Sequence, residues 1–94
     1  MARERMIYPE MLNSDSFQSL SSDGKVLFYG LLLLADDYGR GKVCEEAIKG
    51  QVFPKAKSVT PKLVGELLEE FVKLDFIRIA DNGLSRNYYW INWD

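Results

Sequence analysis

The strongest constraint on the fold is an amphipathic segment at residues 61–75. Thr60 in front of it is a favoured N-cap residue, and Pro61 suits the first position of a helix. Apolar side chains then recur at intervals of three and four residues, the period of a helix with one buried face. They are Val64, Leu67, Leu68, Phe71 and Leu74. The pattern predicts a helix that begins at residue 61 and packs one side against a core.

Three other segments complete the predicted architecture. Residues 22–35 are apolar almost all round, which predicts a central helix, and residues 44–53 fit a further helix. Residues 76–93 contain two strand-forming runs around the turn signal "NG", which is typical of a β-hairpin. Two helices joined by a short connector and followed by a hairpin predict one α+β, mainly α, domain over residues 1–94. Its fold would be a winged helix-turn-helix with a three-helix core and a hairpin wing.

The sequence leaves the register of the hairpin open between two alternatives. A two-residue turn places Ile77 opposite Tyr88, whereas a three- or five-residue loop places Ile77 opposite Tyr89. We favour the longer loop because it gathers more apolar side chains on one face. That register points Tyr88 and Trp90 outward, where they are candidates for a protein interface. An extended N-terminal arm predicted over residues 1–8 adds three apolar candidates to that interface: Met6, Ile7 and Tyr8.

Several short motifs carry a resemblance to a known family. They are "ADDYGR" after the first helix, "VFP" at the end of the next, "TPKLVGELLEEFVKLDFIRI" and the closing "YYWINWD". Together they resemble the N-terminal winged-helix domain of phage replisome organisers and DnaD-like replication-initiation proteins. The resemblance implies a non-enzymatic module that binds origin DNA, self-associates, or does both. Because family members usually continue past the final strand, it also implies an excised domain or a short member with one module.

Positive charge is concentrated in the middle of a chain whose net charge is −2. Residues 41–62 carry five lysines against two glutamates. Helix N-termini favour anions, and basic side chains add charge-assisted contacts to phosphates. Glutamates on the exposed face of the helix at residues 61–75 oppose base recognition, so we predict binding of double-stranded DNA with modest sequence preference. The candidate residues lie in the connector, at the start of that helix and in the wing: Lys55, Lys57, Ser58, Thr60, Lys62, Arg86 and Asn87.

The alternative function is protein interaction. In that case the domain binds itself or other replication proteins and does not contact DNA. Catalysis is not expected in either case, because the chain has no histidine and one cysteine and so lacks the commonest general base and a zinc-ligand set. We therefore expect no catalytic residues, metal, cofactor or small-molecule substrate.

Two further expectations concern location and a turn. The longest uncharged apolar stretch, residues 26–35, is about half the length of a membrane span, and the N-terminus lacks a signal-peptide pattern. We therefore expect a cytoplasmic protein without membrane contact. Asp36 and Asp37 follow the first long helix, and one of them is expected to pair with Arg40 or to hold the turn near Gly39.

Overall fold

A computed structural model describes residues 14–91 of the chain. Within that range the protein is an α+β domain with four helices and one three-stranded antiparallel sheet. The helices are α1 Asp15–Gln18, α2 Ser22–Leu34, α3 Glu45–Val52 and α4 Pro61–Lys73. The strands are β1 Arg40–Lys42, β2 Ile77–Asp81 and β3 Arg86–Trp90. The predicted arm and its candidates Met6, Ile7 and Tyr8 lie outside the described residues.

The two long helices begin at side-chain caps. The Ser21 Oγ accepts a hydrogen bond from the Gly24 N–H at 3.1 Å, so α2 begins where the sequence predicts. The Thr60 Oγ1 likewise accepts from the Leu63 N–H at 3.1 Å, with proline in the first helical position. Helix α4 ends at Lys73, two residues earlier than predicted, because Asp75 adopts a left-handed conformation with φ of 63°.

The core lies between α2, α4 and one face of the sheet. Four of the five apolar side chains that predicted α4 are buried, and Leu74 packs at the edge of the same core. Phe28 of α2 is central, with the rings of Phe71, Phe76 and Trp90 arranged edge to face around it at 5.0–6.0 Å between centroids. Full burial of Phe28 and of Phe71 each stabilises the fold by about 1.5–3 kcal/mol, and the half-buried Phe76 and Trp90 contribute less.

Helix α3 closes on α2 at a glycine. A Cβ atom at Gly30 would lie 2.7 Å from methyl groups of Val52, so only glycine allows this approach without displacement. Close packing at this point fixes α3 beside α2 and leaves its N-terminal end near α4, where a Cβ atom on Gly65 would contact the Glu45 side chain at 3.5 Å. Carboxylates of α3 are thereby placed beside α4.

The sheet has the order β1-β3-β2, so β3 is the central strand. Ile77 pairs with Trp90 and Asp81 with Arg86, which leaves a four-residue loop at residues 82–85. Neither predicted register is correct. The Asn82 Oδ1 accepts hydrogen bonds from the N–H groups of Leu84 and Ser85, both at 2.9 Å, so a side chain closes this longer loop.

The register reverses the predicted directions of the aromatic side chains. Tyr88 is 1% exposed, and its hydroxyl donates a hydrogen bond to the Leu31 carbonyl oxygen at 3.0 Å. Trp90 is half-buried, with its ring edge-on to Phe28 at 5.0 Å between centroids. The prediction that Tyr88 and Trp90 point outward is therefore wrong. Tyr89 takes the outward position and is 38% exposed.

One side of α2 is open, although its composition predicted contacts all round. Val26 and Leu33, seven residues apart and therefore on the same side of the helix, are 49% and 72% exposed. The opposite side carries the core residues Leu27, Phe28 and Leu31. Within residues 14–91 no helix combines the length and apolarity needed to cross a bilayer.

Candidate nucleic-acid interface

The connector between α3 and α4 is held by two consecutive turns. The Ala56 N–H donates to the Phe53 carbonyl oxygen at 3.3 Å, and the Val59 N–H donates to the Ala56 carbonyl oxygen at 3.1 Å. Phe53 and Val59 are buried and Ala56 is half-buried, so every third residue of the connector points into the protein. The intervening side chains are consequently directed into solvent from an anchored backbone.

Five of the predicted DNA-binding residues lie on this connector and at the beginning of α4. All five are exposed: Lys55, Lys57, Ser58, Thr60 and Lys62. None of the three lysines has a carboxylate partner within ion-pair distance among residues 14–91. Three ammonium groups without an ion-pair partner among residues 14–91 therefore occur within eight residues of chain, at the positive end of a helix dipole. We call residues 55–62 the basic connector.

The backbone amides at the start of α4 contribute less than the sequence analysis expected. Pro61 has no N–H, and the Leu63 N–H is occupied by the Thr60 hydroxyl oxygen. The Val64 N–H donates to the Thr60 carbonyl oxygen at 3.0 Å. This leaves the Lys62 N–H without an acceptor among residues 14–91, so lysine side chains must supply most of any phosphate contact here.

The two candidates from the hairpin face opposite ways. Arg86 lies on the side of β3 that faces α3, and its Nη1 forms an ion pair with the Glu45 Oε2 at 3.2 Å. Asn87 follows on the opposite face, with its Nδ2 3.4 Å from the Ser85 Oγ. The structure therefore does not bring Arg86 and Asn87 together, and the Arg86 charge is already compensated.

A shallow groove lies between α3, α4 and the hairpin, with Lys62 of the basic connector and Arg86 both in its lining. Its charged lining consists of four glutamates and two basic residues: Glu45, Glu46, Glu66, Glu69, Lys62 and Arg86. The net charge of this lining is negative, and a phosphate backbone would be repelled from it. We call this surface the acidic groove.

The turn after α2 contains the predicted aspartate contact. The Asp36 Oδ1 accepts from the N–H groups of Tyr38 and Arg40 at 2.8 and 3.0 Å, and the Arg40 Nε donates to the Oδ2 at 3.0 Å. The Arg40 N–H first, then the Tyr38 N–H and the guanidinium, lower the pKa of Asp36 below its ordinary value. The predicted pairing with Arg40 is confirmed for Asp36, which also holds the turn.

Sequence analysis missed a second group of basic side chains. Lys42 on β1 and Arg78 on β2 lie on the face of the sheet that points away from the helices, on either side of β3. Alternation along the strands was the signal that could have placed these two cations on one face. It could not be used without the register that pairs β1 and β2 with β3. Among residues 14–91 no group of three acidic or cysteine side chains is spaced to hold a metal ion.

Comparison with known proteins does not identify the chain. No family model, curated protein or solved structure matches it. The resemblance to phage replisome organisers and DnaD-like proteins stays a prediction.

Proposed function

We propose that the domain is a winged helix that binds double-stranded DNA without catalysing a reaction. The order of elements supports the fold: a helix, a short strand, two helices joined by a turn, and a hairpin that pairs with the first strand. In this arrangement α3 and α4 form the helix-turn-helix and residues 82–85 form the wing.

The observation that carries the DNA-binding function is the basic connector. Its lysines are exposed, have no acidic partner among the described residues, and extend from a backbone anchored by Phe53 and Val59. Anchoring matters because less conformational entropy is lost when a preorganised loop meets a phosphate backbone. The connector therefore has the features of a sequence-independent phosphate contact.

The acidic groove limits how the duplex can approach. A recognition helix that lay along the major groove would bring Glu66 and Glu69 towards phosphates, at an electrostatic cost. We propose instead that α4 approaches DNA with its N-terminal end, so that the basic connector contacts the backbone, led by Lys55 and Lys57, which do not line the acidic groove. Such binding would depend strongly on salt and weakly on sequence.

The test is a salt-dependent titration of labelled duplex DNA with the double variant Lys55→Ala/Lys57→Ala. Loss of two phosphate contacts should weaken binding to all sequences and reduce the slope of log K against log salt by about two units. The charge-matched control is Lys25→Ala/Lys73→Ala, which removes two exposed or half-exposed lysines outside the connector and should change the slope much less. Unchanged affinity in the connector variant would overturn the proposal.

A second candidate function, protein interaction, is supported by the open side of α2. Leu33 is 72% exposed and Val26 is 49% exposed on one side of an ordered helix. Exposed apolar side chains grouped in this way are typical of an association surface. In this case the domain would bind a second copy or another replication protein through α2, and the connector would remain unoccupied.

A further inference from the structure

The face of the sheet that points away from the helices is formed by two rows of paired residues. In the first row Arg40 and Arg78 flank Tyr89 of the central strand. In the second row Lys42 and Ala80 flank Asn87. Cross-strand partners share a face, because successive side chains alternate between the two sides of a sheet. The burial of Tyr88 between these two rows identifies the opposite face as the inner one.

This outer face is basic in a chain that is acidic overall. Its six paired positions contain three cations and no carboxylate. Lys42 and Arg78 are exposed and have no ion-pair partner among residues 14–91. Arg40 pairs with Asp36 in the adjoining turn, yet its side chain remains 51% exposed. Two uncompensated cations and one partly compensated cation thus surround the centre of the face.

Exposed aromatic rings accompany these charges. Tyr89 is 38% exposed at the centre of the face, and its cross-strand partners are Arg40 on one side and Arg78 on the other. Tyr38, which is 75% exposed in the turn before β1, lies 5.1 Å from the Arg40 guanidinium carbon, measured to the ring centroid. Lys42 and Arg78 lie on the strands that flank β3, each about 4.8 Å from it, so both cations belong to the same face as the Tyr89 ring.

We propose that this face binds single-stranded nucleic acid, with a base stacked on Tyr89 and phosphates held by Lys42 and Arg78. Charge complementarity selects a polyanion, and the exposed ring selects one whose bases are free to stack. A duplex offers phosphates but no accessible base faces along its length, so Tyr89 would contribute little to binding it. The site goes beyond the proposed function, because it uses none of the residues of the basic connector.

The test measures fluorescence anisotropy of a labelled single-stranded oligothymidylate of about 20 nucleotides titrated with the full chain. Tyr89→Ala should weaken binding about tenfold, whereas Tyr89→Phe keeps the stacking ring and should retain most of the affinity. Lys42→Ala/Arg78→Ala should also weaken binding and flatten its salt dependence. The charge-matched control Lys25→Ala/Lys73→Ala should bind nearly as well as the wild type. Far-UV circular dichroism checks that each variant is folded.

Parallel titrations with duplex DNA separate this site from the proposed function. If the two sites are independent, Lys55→Ala/Lys57→Ala weakens only duplex binding, and Lys42→Ala/Arg78→Ala weakens only single-strand binding. Absence of oligothymidylate binding by the wild type would overturn the inference and leave the duplex proposal standing. Equal affinities of folded Tyr89→Ala and Tyr89→Phe variants would also overturn it, because the ring would then not be used.

Discussion

Tyr88 joins the sheet to α2 through a single buried hydroxyl group. The Tyr88 O–H donates a hydrogen bond to the Leu31 carbonyl oxygen, which also accepts one from the Ala35 N–H at 3.1 Å. Gly41 on β1 lies against the tyrosine ring, and a Cβ atom at that position would overlap with it. The Tyr88 ring therefore fits only because residue 41 is a glycine. Its hydroxyl group then fixes the distance between the sheet and α2.

Substitution of Tyr88 separates its hydrogen bond from its packing. Tyr88→Phe keeps the ring and should lower the free energy of unfolding by about 1 kcal/mol, the usual net contribution of one hydrogen bond. Gly41→Ala should cost more, about 2–3 kcal/mol, because the added methyl group must displace the ring. Urea denaturation of both variants measures the difference. A smaller loss in Gly41→Ala than in Tyr88→Phe would contradict this account.

The direction of the aromatic side chains could not be predicted residue by residue. Tyr88, Tyr89 and Trp90 are consecutive, so hydrophobicity gives no alternation that distinguishes inner from outer positions. The choice depends on the hydrogen bond to Leu31, which is 57 residues away from Tyr88 in sequence. By contrast, the Asp36–Arg40 pair is local and was predictable from turn chemistry alone.

The turn between α2 and β1 is the element most dependent on one ionised group. The Asp36 carboxylate accepts two backbone N–H groups and the Arg40 guanidinium, while the Asp36 N–H donates to the Arg40 carbonyl oxygen at 2.8 Å. Both ends of the turn are therefore tied to the same residue. Protonation of the Asp36 carboxylate would weaken its hydrogen bonds with the two N–H groups and its ion pair with Arg40.

The lowered pKa of Asp36 makes the stability of this turn depend on pH. A carboxyl group with a lower pKa in the folded state stabilises the protein above its unfolded pKa, near 4, and this contribution is lost as the pH falls through the folded value. Asp36→Asn keeps an oxygen acceptor but removes the charge. The variant should be less stable than the wild type at pH 7, and the difference should shrink below pH 4. Urea denaturation between pH 7 and pH 3 measures it, and a constant difference would contradict the prediction.

Helices were more predictable than the sheet because their signals are local. Thr60 and Pro61 define the beginning of α4 within two adjacent residues, and a regular apolar period defines its buried face. The loop at residues 82–85 instead depends on two side chains. The Asp81 Oδ1 accepts a hydrogen bond from the Gly83 N–H at 2.8 Å, and the Asn82 Oδ1 accepts from the next two N–H groups. The turn signal and a loop longer than two residues were predicted from the sequence, but the four-residue length that these bonds accommodate was not.

At the scale of the whole molecule, the second candidate function places association on the open side of α2. The protein-interaction function predicts a dimer or larger species in sedimentation at micromolar concentration, dissociated by Leu33→Glu. This substitution should barely change stability, because Leu33 is 72% exposed. Leu84→Glu is the matched control, since Leu84 is 95% exposed at the tip of the hairpin, away from α2. A monomer at all concentrations, or equal effects of both variants, would count against association through α2.

The three candidate surfaces differ in how far they could be predicted from the sequence. The basic connector was predictable because its lysines are close together in the chain. The acidic groove was only partly predictable: the glutamates of α4 were expected to be exposed, but Glu45 and Glu46 reach them only after α3 packs on α4. The outer face of the sheet required the pairing of β1 with β3, which brings together residues about 50 positions apart.

The two sides of the sheet differ in charge: glutamates of α3 and α4 line the acidic groove on the helix side, and cations accompany Tyr89 on the outer side. The molecule therefore carries separate surfaces of opposite charge, which its net charge of −2 does not describe. At low ionic strength it should orient on any charged support, leaving one face accessible and hiding the other. On a sensor surface to which the protein is adsorbed, binding to the hidden face would not be detected. Attachment through a terminal tag would leave both the acidic groove and the outer face of the sheet accessible.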